Sequence, residues 1–167
     1  SEGVLTLSTG GIELYNSTFT GDFHSVNDTL NVVLENSQLL GNDDRAKDSH
    51  GLGLYADHVN LTMTNSTISG HALDGVYILT DDIILNTENS IVENNGTQGY
   101  QIEGDLVWNS NNDIITGNGS KGMDLIGNLE WVSQNDIVSS NGGKGLDIDG
   151  NVSWNSDVDE INNNGDT

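Results

Sequence analysis

Residues 99–121 read GYQIEGDLVWNSNNDIITGNGSK, and residues 122–144 (GMDLIGNLEWVSQNDIVSSNGGK) and 145–167 (GLDIDGNVSWNSDVDEINNNGDT) are degenerate copies of that stretch. The tryptophans of the three copies, Trp108, Trp131 and Trp154, lie 23 residues apart. A constant period of this length is typical of repeat proteins, in which each unit buries its apolar face by stacking on its neighbours. The period therefore determines the fold that we expect.

Apolar columns extend this repeat towards the start of the chain. We align the pair Leu106 and Trp108 with Ile83 and Leu85, Leu61 and Met63, Val32 and Leu34, and Ile12 and Leu14. A second column contains Phe19, Leu39, Ile68, Ile91 or Val92, Ile114 or Ile115, Ile137 or Val138, and Ile161. A third opens the later copies at Val76, Tyr100, Met123 and Leu146. These columns predict about seven units of 20 to 24 residues.

Short alternating segments separated by Asn-Gly, Gly-Asn and Asn-Ser turns indicate strands with one buried face. The predicted fold is an all-β, parallel β-helix (solenoid), and right-handed winding is the usual sense for such connections. We expect one domain over residues 1–167, with a loop insertion at residues 41–50. No capping signature is obvious after Asn164, and no signal peptide is visible in this sequence. We therefore expect a segment of a longer array.

Composition narrows the possible partners. Lysine and arginine number 4 against 26 acidic residues, which gives a formal charge of −22. Such a surface repels nucleic acids and anionic membranes, and no apolar run is long enough to insert into a bilayer. The chain contains no cysteine, so disulfides and thiol chemistry are excluded.

Two columns are expected to be structural. Trp108, Trp131 and Trp154 share the strand phase of apolar residues, which predicts an interior stack with Leu85 and Met63 as its preceding members. The alternative is a solvent-facing platform for sugars. Asparagines at positions 95, 118, 141 and 164 are each followed by glycine, and we predict an amide ladder along the axis, with the glycines supplying positive φ.

Two acidic columns leave alternatives open. Asp113, Asp136 and Asp159 are spaced by 23 residues, as are Asp124 and Asp147. Stacked carboxylates repel one another, and a bound Ca²⁺ would relieve that repulsion. The other interpretation is that the carboxylates cap turn amides and splay into solvent.

Catalytic and metal residues are not assigned. The stretches GGKGLDI (142–148) and GSKGMDL (119–125) are similar to the RTX calcium nonapeptide, but they lack its nine-residue tandem, so no ligands are transferred. The four histidines, at positions 24, 50, 58 and 71, have irregular offsets and are interpreted as solvated loop residues. We predict no enzyme and no cofactor, while a carboxylate glycosidase on a neutral glycan stays an alternative.

The stretches GGIELYNSTFTGD (10–22), VVLENSQLLGND (32–43) and VNLTMTNSTISGH (59–71) resemble coil repeats of autotransporter passenger domains, which are right-handed β-helices of bacterial adhesins. That resemblance implies a rigid, acidic, secreted or cell-surface rod used for adhesion, self-association or biofilm formation. Its partners would be a host glycan, a matrix protein or sister rods. Phage tailspikes share this repeat style, so a polysaccharide-binding or polysaccharide-degrading β-helix is the first alternative. A calcium-stabilised solenoid is the second.

Overall fold

The computed structural model describes residues 5–7, 11–21, 23–41 and 49–166. Within these ranges the chain forms nineteen strands and no helix, and the strands pair in parallel. The chain is therefore an all-β solenoid, as predicted, while its right-handed sense stays a prediction. None of the described residues belongs to a helix that could cross a membrane.

Three faces run along the solenoid. Face 1 contains β1 (Leu5–Leu7), β4 (Phe23–Val26), β7 (Leu52–Tyr55), the first part of β10 (Val76–Glu88), the first part of β12 (Tyr100–Asn111), β14 (Met123–Ile126) and β17 (Leu146–Asp149). Face 2 contains β2 (Gly11–Tyr15), β5 (Thr29–Glu35), β8 (His58–Thr64), the later parts of β10 and β12, β15 (Leu129–Gln134) and β18 (Val152–Asp157). Face 3 contains β3 (Thr18–Thr20), β6 (Gln38–Leu40), β9 (Thr67–Ser69), β11 (Ile91–Glu93), β13 (Ile114–Thr116), β16 (Ile137–Ser139) and β19 (Glu160–Asn162).

Each coil takes one strand segment from each face. Coil 1 comprises β1 to β3, coil 2 β4 to β6, coil 3 β7 to β9, coil 4 β10 and β11, coil 5 β12 and β13, coil 6 β14 to β16, and coil 7 β17 to β19. Faces 1 and 2 join in a 12-stranded sheet through β10 and β12, and face 3 is a separate 7-stranded sheet. The seven coils make about six full turns, close to the predicted number of units.

The strand register confirms the columns of the C-terminal coils. Trp108 pairs with Trp131, and Trp131 with Trp154. On face 3 the second column is also confirmed. Where the sequence left two neighbouring residues possible, the buried member is Val92, Ile115 or Val138.

On face 2 the predicted alignment is confirmed within coils 1 to 3, and it is wrong by two residues only between coil 3 and coil 4. Leu85 pairs with Leu61, whereas Met63 pairs with Thr87. A two-residue shift leaves every side chain on the same face of its strand, so apolar alternation could not detect it.

The predicted insertion coincides with the widest spacing between coils. Asn65 stacks on Asn36 with a separation of 29 residues, whereas the later coils repeat every 23 or 24. The extra residues fall between Leu40, which ends β6, and Leu52, which begins β7. Residues 42–48 of this insertion lie outside the described ranges, so the domain division stays a prediction.

Aliphatic and aromatic side chains fill the interior of coils 2 to 6, where most inward positions are almost fully buried. In coil 7 the inward Val152, Trp154 and Ile161 are 51%, 42% and 41% exposed, because the described chain covers them on one side only. Stacking of coils, not any single coil, creates the core.

The turn from face 2 to face 3 uses the left-handed conformation in every coil. Six coils place asparagine there with φ between 48° and 55°: Asn16, Asn36, Asn65, Asn89, Asn112 and Asn135. Asparagine tolerates this conformation well. Coil 7 instead places Val158 there at φ 62°, which is strained for a β-branched residue.

The glycines that follow the asparagine column have a different role from the predicted one. Their φ angles lie outside the left-handed region. A Cβ on Gly96 would lie 2.0 Å from the Ala72 carbonyl oxygen, and one on Gly119 would lie 2.2 Å from the Gly96 oxygen. The prediction of positive φ is therefore wrong: glycine is required because successive coil backbones approach too closely for a side chain.

Candidate functional site

The tryptophan column lies in the interior, as predicted. Trp108 and Trp131 are each 1% exposed, and their rings stack at 4.6 Å between centroids with planes 3° apart. The indole N–H of Trp108 donates to Thr87 Oγ1 at 2.9 Å, and that of Trp131 donates to Ser110 Oγ at 2.7 Å. Buried indoles with satisfied N–H groups hold coils together and offer no face to a sugar.

The asparagine ladder is also confirmed. Asn95 Nδ2 donates to Asn118 Oδ1 at 3.0 Å, and Asn118 Nδ2 donates to Asn141 Oδ1 at 3.0 Å. The same side-chain oxygens accept the backbone N–H of the coil before, at 3.2 and 3.1 Å. Each of these buried asparagine oxygens therefore accepts two hydrogen bonds from the preceding coil, one from a side chain and one from the backbone.

The first aspartate column points inward. Asp113 and Asp136 are 5% and 3% exposed. Asp113 Oδ1 accepts the Ser90 backbone N–H at 2.7 Å, and Asp136 Oδ1 accepts the Asp113 N–H at 2.8 Å. The prediction that these carboxylates cap backbone amides is confirmed, whereas their splaying into solvent is wrong for these two residues.

Hydroxyl groups connect this column to the indoles. Ser110 donates to Asp136 Oδ2 while accepting from Trp131, so the indole, the hydroxyl and the carboxylate form one buried chain of hydrogen bonds. Burial raises the pKa of Asp113 to about 7, against the lowering effect of hydrogen bonds from Thr87 and the Ser90 amide. Burial also raises the pKa of Asp136.

The second acidic column is neutralised by lysine. Lys121 Nζ lies 2.8 Å from Asp124 and 2.7 Å from Asp147, and Lys144 Nζ lies 2.8 Å from Asp147. Hydrogen bonds from both lysines lower the pKa of Asp147. In the two RTX-like stretches, lysine thus supplies the positive charge near the aspartates. The part of the chain that the structure describes contains no group of three or more His, Asp or Glu side chains arranged to hold a metal.

The interpretation of all four histidines as solvated loop residues is wrong. His71 is 2% exposed, and its Nε2 lies 3.2 Å from the Leu39 carbonyl oxygen. His58 is exposed and begins β8. His24 lies within β4, and both it and His50 contact tyrosine rings.

Four rings form a continuous cluster on the outside of face 1, in coils 2 to 4. The Tyr55 ring lies 4.8 Å from His24 and 5.6 Å from Tyr77, and His50 stacks on Tyr77 at 4.7 Å. Gly53 lies between His24 and Tyr77 in the strand register, and a Cβ there would come within 3.2 Å of His24 Nδ1. The missing side chain leaves room for these rings to converge. We call His24, His50, Tyr55 and Tyr77 the ring cluster.

Negative groups adjoin the ring cluster. His50 Nδ1 lies 2.9 Å from Asp74 Oδ2, and Asp74 is 2% exposed. The Asp74 carboxylate is fixed further because it accepts the Gln98 backbone N–H at 2.9 Å. Burial raises the pKa of Tyr77, and the nearby Glu103 carboxylate raises it further.

An open groove of about 540 Å³ adjoins the ring cluster at Tyr55. Val26 and Leu79, which align with Tyr55 in the register, are 58% and 41% exposed there. The exposed Asp28 and Asp57 also line it. This Tyr55 groove therefore combines an aromatic ring, two aliphatic side chains and two carboxylates.

Sequence reasoning missed this site because its rings belong to different columns and come from coils of unequal length. Tyr55 and Tyr77 occupy neighbouring outward columns of face 1, where the coil spacing changes from 29 to 24 residues. No offset aligns the two tyrosines, because Tyr55 pairs with Leu79 and Tyr77 pairs with Gly53. Their outward strand phase, opposite to that of Leu54 and Ile78, was the available signal.

Comparison of this chain with protein-family models, with curated proteins and with solved structures finds no match.

Proposed function

We propose that this chain is a segment of a bacterial cell-surface or secreted adhesin, in which a rigid, acidic β-helical rod of the autotransporter passenger type presents its outer faces to a partner. Its interior polar groups bind coil to coil, so they stiffen the rod and do not recognise ligands. The observation that carries the proposal is the ring cluster with the Tyr55 groove, where aromatic and aliphatic side chains lie on the outside of the rod. Exposed aromatic and apolar surface of this kind is typical of binding sites.

A polysaccharide-degrading β-helix is less well supported. Face 2 has an open groove of about 580 Å³ that includes Asp82, Asp105 and Glu130. A glycosidase needs a carboxylic acid whose pKa is raised. Hydrogen bonds from Asn128 lower the pKa of Asp105, whereas the raised carboxyls described above are buried in the core.

A binding screen tests the proposal. The purified chain would be immobilised and presented with matrix proteins and a glycan array, and its self-association would be followed by light scattering. We expect binding to at least one partner, reduced by substitution of outward residues in coils 2 to 4. Hydrolysis of a glycan would instead favour the enzyme, and a large fall in melting temperature with EDTA would favour the calcium-stabilised solenoid.

A further inference from the structure

We infer that the ring cluster and the Tyr55 groove bind an arginine or lysine side chain presented by a protein partner. This inference rests on the proposed function and specifies the partner class that the site would recognise. It selects a protein with exposed basic residues over a neutral glycan.

The first argument is the geometry of the rings. Tyr55 and Tyr77 are tilted by 46° with centroids 5.6 Å apart, and both side chains are partly exposed. The face of an aromatic ring is negative and attracts a cation within about 6 Å of its centroid. A single cation can therefore contact both rings.

The second argument is the shape of the adjoining groove. Val26 and Leu79 offer aliphatic surface beside Tyr55, and Asp28 and Asp57 offer carboxylates along the same groove. Arginine and lysine have an apolar stem, which can pack on the aliphatic side chains, and a charged head, which can pair with the carboxylates. Arginine matches best because its planar guanidinium both stacks on aromatic rings and pairs with carboxylates.

The third argument is electrostatic. The chain carries a formal charge of −22, which draws cations towards it and repels anionic ligands. Of the lysines and arginines within the described ranges, Lys121 and Lys144 are held in ion pairs with aspartates two or more coils away from Tyr77. At the ring cluster itself, His50 lies against the carboxylate of Asp74, which offsets the charge of a protonated imidazole.

The test uses a fluorescent peptide of alternating arginine, leucine and serine. A second peptide replaces each arginine with citrulline, which keeps the shape and removes the charge. Binding to the folded chain is measured by fluorescence anisotropy, alongside a panel of neutral oligosaccharides. We expect the arginine peptide to bind and the citrulline peptide and the oligosaccharides to fail.

The variant Tyr55→Leu/Tyr77→Leu leaves the net charge unchanged, so it separates ring contact from general attraction. We expect it to weaken peptide binding about tenfold or more, since two cation–π contacts are lost. Tyr55→Phe/Tyr77→Phe keeps the rings and should bind within about twofold of the wild type. The matched control is Ile126→Ala, because Ile126 is 54% exposed in the same outward column as Tyr55.

A second pair of variants tests the carboxylates. Asp28→Asn/Asp57→Asn should weaken binding more than Asp149→Asn/Asp157→Asn, which removes the same charge from coil 7. Circular dichroism melts would establish that each variant remains folded. Equal binding by the leucine variant and the wild type would overturn the inference, because the peptide would then respond only to overall charge.

The oligosaccharide arm separates the two proposals. Binding of a neutral glycan through Tyr55 and Tyr77, without binding of the arginine peptide, would overturn the basic-partner inference and leave the adhesin proposal standing. If neither these probes nor the matrix-protein and glycan screen gave any binding, both proposals would fail.

Discussion

The C-terminal coils and coils 2 to 4 of this solenoid place their aromatic rings differently. From coil 5 onwards the spacing is a constant 23 residues, and the tryptophan, asparagine and aspartate columns lie in register inside the stack. In coils 2 to 4 the spacing varies, the residues in register with the indoles are aliphatic, and the tyrosine rings lie on the outer face, although Phe23 is buried. Identical residues also stack across the unequal coils, as Asn65 on Asn36 shows, but the tryptophan and first aspartate columns lie only in the coils of equal spacing. The exposed ring cluster, by contrast, lies in the coils of unequal spacing.

The largest expected effect on the free energy of unfolding comes from the tryptophan column, where two of its members can be compared. Trp131→Ala should lower the free energy of unfolding by about 3–5 kcal/mol, since it empties a buried site stacked on both sides. Trp154→Ala should cost about 1–2 kcal/mol, because that ring is 42% exposed and stacked on one side. Urea unfolding followed by far-UV circular dichroism measures both. Equal costs would contradict the interior stack.

Next in size is a pH effect that comes from the aspartate column. In the folded chain the pKa of Asp113 is about 7, against 3.8 for an unperturbed carboxyl. Between these values the folded state keeps a proton that the unfolded state has released. The contribution of this group to the free energy of unfolding should therefore be largest below about pH 4 and fall as the pH rises to about 7, by on the order of 4 kcal/mol.

Asp113→Asn isolates that contribution from the many surface carboxylates. The asparagine keeps an oxygen for the Ser90 amide and cannot ionise. We expect the variant to match the wild type at about pH 4 and to exceed it in stability above about pH 7. Urea midpoints across this range provide the measurement. Parallel curves for the two proteins would contradict the raised pKa.

A smaller effect is expected for the asparagine ladders, where a buried asparagine can be compared with an exposed one. Asn118→Ala should cost about 2–3 kcal/mol, since it leaves buried backbone and side-chain groups of the neighbouring coils without partners. Asn60→Ala removes the exposed hydrogen bond to Asn31 and should cost less than about 0.5 kcal/mol. Thermal and urea melts of the two variants would test whether the inner ladder carries the stability.

The smallest expected effect is a gain. Val158→Asn restores the residue type that six other coils use at this left-handed turn, and should stabilise the chain by about 1 kcal/mol. Val132→Asn is the matched control, because Val132 is also exposed but lies within the β15 strand. A gain in both variants would show that exposed valine, and not the turn conformation, is the cause.

Sequence periodicity predicted the fold because both strand alternation and coil length are one-dimensional signals. The interior position of Trp108 and the amide ladder through Asn118 followed from these signals. The pairing of Leu61 with Leu85 was missed because a two-residue shift preserves the alternation. The role of Gly96 could not be seen, since it depends on the distance between two coils.

The ring cluster was the least predictable feature. The rings of His24 and Tyr55 converge over Gly53, which has no side chain, and Tyr77 pairs with Gly53 in the next coil. Because these rings come from different columns, they leave no repeated offset in the chain. Such a site can be recognised only once the pairing of the face 1 strands is known.

The parallel indoles also have an optical consequence. Trp108 and Trp131 are each 1% exposed, so their fluorescence should shift to longer wavelength when the stack opens and water reaches the indoles. All three chromophores belong to coils 5 to 7, so the signal reports fraying of that end alone. Tryptophan spectroscopy can therefore show whether unfolding begins in the C-terminal coils.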